Sequence, residues 1–279
     1  MPTAPATIPD QPLPSPQPCP TYAIATVSYL NALPLLHGLH HHNLQPAVPS
    51  ALHNLLTTGR AHAALLPVVD LIAPGPRLTL LGNAAIAATH RSLTVRLYAN
   101  SPVHRLTEVW LDPDSHTSVT LLSVLTRHLW GCNPVLRPLP ADPQAWPELP
   151  ACLLIGDKVI HHPQPGRPVS LDLATVWHQW QKLPFVFAAW FSRAELPPAD
   201  RHHLARILNA SRDLAAGRAD QIAHEHAARF GWPVSLAASY FKRVLDYRLT
   251  SAHRRGLAAF LRLAKSVRNP HLQSKGGAA

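Results

Sequence analysis

Tyr22–Leu39 reads YAIATVSYLNALPLLHGL, and its two halves follow different patterns. Tyr22–Val27 is short, apolar and β-prone, the length of a strand. Asn31 then offers a helix N-cap, and Pro34 suits the first turn of a helix running on through LLHGL. A short strand is expected near Ala47-Val48. Ser50 stands where it would cap the helix ALHNLLTT, and Gly59 where it would end that helix at a C′ position. Ala61–Leu66 is an apolar run of buried-strand length, closed by Pro67. Strand–helix–strand–helix–strand with short links predicts a parallel sheet covered by helices.

The alternation continues down the chain. Residues 78–99 read as two extended segments. Val109–Leu111 is a short strand that leads through Asp112-Pro113-Asp114-Ser115 into a helix over 116–130, ended by Gly131. Cys152–Ile155 is a buried-type strand followed by Gly156-Asp157. Leu173–Gln181 reads as a short helix and Phe185–Phe191 as an aromatic strand in which Trp190, like Trp177 before it, belongs to the core. Helices are predicted from Pro197-Pro198 to Ala215, over 218–230, through Leu236, Tyr240, Val244 and Tyr247 at helical spacing, and near 252–266. Prolines at alternate positions forbid regular structure over 1–20, and 267–279 is expected to be loose. An α/β half, a second α/β segment and a helical return predict an α/β fold of two lobes with a ligand cleft between them. One lobe comprises residues 21–98 with 188–266, and the other 99–187.

Composition narrows the function. With 25 Lys+Arg against 15 Asp+Glu the net charge is +10, but the basic residues come only in pairs such as Arg254-Arg255. They lack the interleaved aromatic platforms of a nucleic-acid surface, so no nucleic-acid partner is expected; a basic field instead favours a small anion. Cys19, Cys132 and Cys152 have no metal spacing, and three cysteines make no disulfide framework. His40-His41-His42, His161-His162, His202-His203 and His224 with His226 read as solvated surface. No run reaches the roughly 20 apolar residues of a membrane helix, and the N-terminus has no signal-peptide pattern, so a cytoplasmic location is expected.

Four strand-to-helix corners carry small polar residues: Ser28-Tyr29-Leu30-Asn31, Asp112 to Ser118, Gly156-Asp157, and the stretch from Asp172 to Trp190. Helix N-termini have unpaired N–H groups and a positive dipole end, which suit carboxylates. Taken singly, each corner is explained by helix capping. Two on opposite lobes could clamp a dicarboxylate.

VSYLNALPL (Val27–Leu35), GRAHAALLPV (Gly59–Val68), WLDPDSHTSVTLLSVL (Trp110–Leu125), ACLLIGDKVI (Ala151–Ile160) and LPFVFAAW (Leu183–Trp190) occur in order. In these segments, and in YFKRVLDYRLT with GLAAFLRLA, the chain resembles the chorismate dehydratases of the futalosine route to menaquinone, from about residue 22 to 266. The chain departs from the family at Arg60 and His62, where an acidic residue is usual, at Ala88–Ser92, and at Thr94, where serine is common.

The resemblance implies a type II periplasmic-binding-protein fold without export. It also implies a hydro-lyase that turns chorismate into 3-[(1-carboxyvinyl)oxy]benzoate and water with no cofactor and no metal. Asn31 is then the expected catalytic residue, orienting the leaving hydroxyl, since an amide does not titrate. Ser115, Thr117 and Ser118 would hold one carboxylate, and Ser28 with nearby backbone the rest. Tyr29, Gly156 and Asp157 complete the expected substrate contacts. The alternatives are the sister enzyme making 1,4-dihydroxy-6-naphthoate from a cyclised futalosine product, a non-catalytic carboxylate-binding protein, and the effector-binding half of a regulator. No oligomeric state follows.

Overall fold

The computed structural model describes residues 21–112, 115–164 and 166–267. Cys19, the proline-rich segment, Pro113, Asp114 and the tail from 268 onward lie outside these residues. β1 (Ala23–Thr26) leads through a 3-10 turn, Leu30–Ala32, into the short α1 (Leu33–Leu36). β2 (Asn43–Pro46), α2 (Pro49–Thr57) and β3 (Ala63–Pro67) follow, and β1 pairs in parallel with both β2 and β3. The helix-covered parallel start therefore forms as its pattern dictates.

Three local expectations give way. The strand placed near Ala47-Val48 occupies Asn43–Pro46. Pro49 fits the first helical turn, so α2 starts with Val48 as its N-cap and Ser50 lies inside it. Asn31 is not a cap either. Tyr29 precedes the 3-10 turn and Asn31 sits within it, which releases the Asn31 side chain from local duty.

The long β4 (Leu78–Ala88) joins this first sheet, and the chain then crosses to a second. There β5 (Val95–Ala99) and β6 (Glu108–Leu111) are followed by α3 (His116–His128), β7 (Val135–Pro138) and β8 (Ala151–Ile155). A short α4 (Asp157–His161), β9 (Val169–Asp172) and α5 (Leu173–Gln181) complete this half. β10 (Phe185–Arg193) returns to the first sheet, antiparallel to β3 and β4. The strand orders are β11-β4-β10-β3-β1-β2 and β7-β6-β8-β5-β9. The chain therefore changes sheet at 89–94 and 182–184, because β5 pairs within the second sheet and β10 within the first.

The first crossing is tied by one carboxylate. Leu93 holds a left-handed backbone, φ 66°, which costs a non-glycine residue energy. Buried Asp172 fixes it by accepting the Leu93 N–H at 2.7 Å and the Ser92 N–H at 3.0 Å. The same carboxylate caps α5 through the N–H groups of Ala174 and Thr175. An aromatic knot closes the second crossing. Phe260 meets Phe185 at 4.9 Å and Trp177 at 6.1 Å, edge to face, and all three are buried.

The remainder is helical: α6 (Pro198–Ala216), α7 (Ala219–His226), α8 (Val234–Ser239), a π-helical turn Tyr240–Val244 and α9 (Ser251–Ala264). Tyr247 departs from its expected helix. It lies in β11 (Asp246–Arg248), paired with β4. Leu245, Tyr247 and Leu249 also satisfy a period of two, and Leu245 and Leu249 are buried by it. Edge pairing with β4 outweighs one more helical turn.

Candidate active site in the cleft

A cavity of ≈ 210 Å³ lies between the two sheets. The first lobe contributes Tyr29 and Asn31 from the corner after β1, Pro67 from the end of β3, and Phe187 from β10. The second lobe contributes the start of α3 and the Gly156–Lys158 corner after β8. Ser92 and Thr94 line it from the first crossing, and Trp232, Tyr240 and Leu245 from the C-terminal helices.

Each wall is built for polar work. At α3, Ser115 caps the helix, its Oγ accepting from the Ser118 N–H at 3.2 Å. The Thr117 hydroxyl donates to the Phe187 carbonyl at 3.0 Å, a tie from the second lobe to the first. Lys158 Nζ meets Asp112 Oδ1 at 2.7 Å; Asp112 is 0% exposed, and the Lys158 side chain 36%. Such a pair holds the ammonium at the cavity wall while giving the buried carboxylate a counter-charge. Gly156, at φ 58° and ψ −137°, has a backbone that side-chain-bearing residues avoid, and this turn aims the β8 corner into the cleft.

Asn31 sits opposite. Its backbone carbonyl accepts from the Tyr247 hydroxyl at 3.0 Å, which anchors the turn. Its side-chain Oδ1 is buried without a hydrogen-bond partner, although buried amide oxygens are nearly always satisfied. Beside it the Tyr240 hydroxyl lies 2.7 Å from Thr94 Oγ1. Burial raises the Tyr240 phenol far above its usual range, against smaller opposing effects of Thr94 and Asn31, so it stays protonated. A buried acceptor shares one cavity with the N–H and hydroxyl groups at the start of α3 and the Lys158 ammonium, an arrangement for a small polyoxygenated anion.

A family model described as menaquinone biosynthesis matches residues 22–266. The chain belongs to that family. A chorismate dehydratase of Thermus thermophilus is 30% identical over 257 residues, which span 86% of this chain and 93% of that one. Protein AF1704 of Archaeoglobus fulgidus superposes with a TM-score of 0.68 at 16% identity, covering 88% of this chain and 97% of that one. The periplasmic aliphatic sulphonate binding protein SsuA of Escherichia coli does so at 0.58 and 17%, covering 93% and 95%. These likenesses show the fold: two lobes of the periplasmic-binding-protein type, as the resemblance implied.

On this member of the menaquinone-biosynthesis family, Tyr29, Asn31, Ser115, Thr117, Ser118, Gly156 and Asp157 all reach the cavity wall. Ser28 does not: it is exposed, because alternation after β1 turns it away from the cleft. Thr117 spends its hydroxyl on Phe187, so it acts as a tie more than as an anion donor. Several lining groups escaped sequence reasoning, namely His116, Lys158, Trp232 and Tyr240. For the last two no local signal exists, since they come from helices remote in sequence. Among the described residues no cluster of His, Cys, Asp or Glu could hold a metal ion, and no helix is long and apolar enough to cross a membrane.

Asp157 accepts the Trp232 indole N–H at 2.7 Å. Burial pushes its carboxyl above the usual carboxylate value of 3.8, against smaller lowering effects of Trp232 and His161. A raised carboxyl contributes stability that is fully present below 3.8 and is lost as pH rises through the folded-state value. Asp157→Asn keeps the acceptor for Trp232 and removes the charge. It is therefore expected to melt higher than the unmodified protein at pH 7. The difference should fade as pH falls below 3.8, and a scan of melting temperature against pH checks it; a constant difference would refute the assignment.

Proposed function

We propose that the protein is a chorismate dehydratase, converting chorismate to 3-[(1-carboxyvinyl)oxy]benzoate and water. The observation that carries this reading is the 30% identity to a chorismate dehydratase over 93% of that enzyme's length. The chemistry of the cleft supports it. Chorismate bears two carboxylates, an ether at C3 and a hydroxyl at C4. Loss of the C3 proton turns the C3–H electron pair into a C3=C4 bond, and hydroxide leaves from C4 with a proton as water. The product ring is aromatic, which supplies the driving force. The C3 proton is acidified through the C1=C2 bond by the ring carboxylate, so a strong protein base is not required.

In this reading Asn31 meets the C4 hydroxyl: its unpartnered Oδ1 accepts the hydroxyl hydrogen and sets the departing oxygen. A substrate carboxylate takes up the C3 proton. Lys158 and the Ser115–Ser118 start of α3 hold the carboxylates, with Tyr29, Gly156 and Asp157 completing the wall. The reaction belongs in the cytoplasm, where Cys132 and Cys152 stay reduced; burial pushes the Cys152 thiol up to about 11, which keeps it inert. Incubating the purified protein with chorismate tests the whole. Growth of a benzoate absorbance with release of no pyruvate is expected. Chorismate left unchanged at high enzyme concentration would favour a binding protein instead.

A further inference from the structure

His116, the first residue of α3, lies between a buried carboxylate and the cavity. The residue lines the cavity, and its Nδ1 is 3.5 Å from Asp70 Oδ1. Asp70 follows β3 in the first lobe and is 4% exposed. Its Oδ2 lies 3.5 Å from His53 Nδ1 on α2, and neither of those two atoms has a hydrogen-bond partner. Among the described residues the ion-pairing partners of Asp70 are His53 and His116 alone; no lysine or arginine reaches it. A carboxylate buried this deeply is stable as an anion only beside donors or cations. Burial pushes the Asp70 carboxyl up, yet His116 and then His53 beside it outweigh that and hold the carboxyl below its usual value. The anion is thus built into the fold, and its strongest partner is the histidine at the cavity wall.

An imidazole with Nδ1 turned to Asp70 carries Nε2 on its other edge. A ring flanked by an anion on each side is satisfied as an imidazolium, donating from both nitrogens. We infer that His116 is a ligand of one substrate carboxylate, donating from Nε2, and that Asp70 is the positioning residue that fixes the ring. The inference rests on the chorismate reading and deepens it. With Lys158 it gives a dianion two side-chain donors at the cavity wall. It also makes binding span the cleft, since Asp70 belongs to one lobe and His116 to the other.

The test combines steady-state kinetics with chorismate and calorimetry with the product dicarboxylate, 3-[(1-carboxyvinyl)oxy]benzoate, which binds without turning over. His116→Ala should raise both KM and the product Kd about 10-fold to 100-fold, the worth of one charged hydrogen bond, with kcat changed far less. His116→Arg, which restores a cation, should recover most of the loss. Asp70→Asn should weaken product binding while leaving the Lys158 contribution in place. Melting temperatures confirm that each variant is folded, and His116→Gln replaces alanine if that variant is not. His116→Ala with KM and Kd like those of the unmodified protein would overturn the inference alone, as would a fall in kcat at constant KM. An unmodified protein that neither converts chorismate nor binds the product would overturn the proposed function and this inference with it.

Discussion

Asn31→Ala is expected to lower kcat for chorismate dehydration by about 10²-fold, the cost of letting a reacting group shift by about 1 Å from its productive position. KM should change little, because the carboxylates are held by other groups. The same change should leave the fold intact or slightly firmer. Asn31 Oδ1 is buried without a partner, and an unsatisfied buried polar atom costs about 1–3 kcal/mol. Deleting it relieves that cost, so the variant should melt at or above the temperature of the unmodified protein. Lost turnover with retained or raised stability is the signature of a residue kept for chemistry. Near-normal turnover in a folded variant would remove Asn31 from the mechanism.

Gly256→Ala should show the opposite pattern. A Cβ at Gly256 would sit 2.1 Å from the Pro184 carbonyl oxygen and 3.6 Å from Leu183 Cβ. Real Cβ atoms do not come that close to a carbonyl, so α9 must move away from the second crossing. That movement loosens Phe260 from Trp177 and Phe185. The expected loss is about 3 kcal/mol, or roughly 10 °C in melting temperature. With substrate below the melting range, kcat should stay within a small factor of normal, since Gly256 is remote from the cavity walls. A melting temperature within a degree of the unmodified protein would show that the approach is looser than the geometry states.

Much of this architecture is written locally in the chain. The period change at Tyr22–Leu39, the apolar run before Pro67 and the aromatic strand at Phe185 each specify an element by short-range chemistry, and each forms. Misreadings arose where two periodicities compete. Tyr247 fits a helix through Tyr240 and Val244 and a strand through Leu245 and Leu249, and only the free edge of β4 decides between them. The same logic governs the site. Seven of the expected residues reach the cavity because strand-to-helix corners point there by construction. Ser28 misses by one position of strand alternation. His116 could not be recognised beforehand, because what distinguishes it from a surface histidine is Asp70, which stands 46 residues earlier.

The aromatic knot has a bearing on how the chain is made. Trp177 and Phe185 leave the ribosome well before Phe260, so every nascent chain passes through a stage in which the second crossing lacks its cover. During that interval both lobes can collapse separately, but their mutual angle is not yet set, and bulky apolar rings face water. Arrival of α9 is then the step that converts two folded halves into one clamp with a fixed bite. A released chain ending at Thr250 should bind chaperones and no ligand, although the cavity's own lining is already complete.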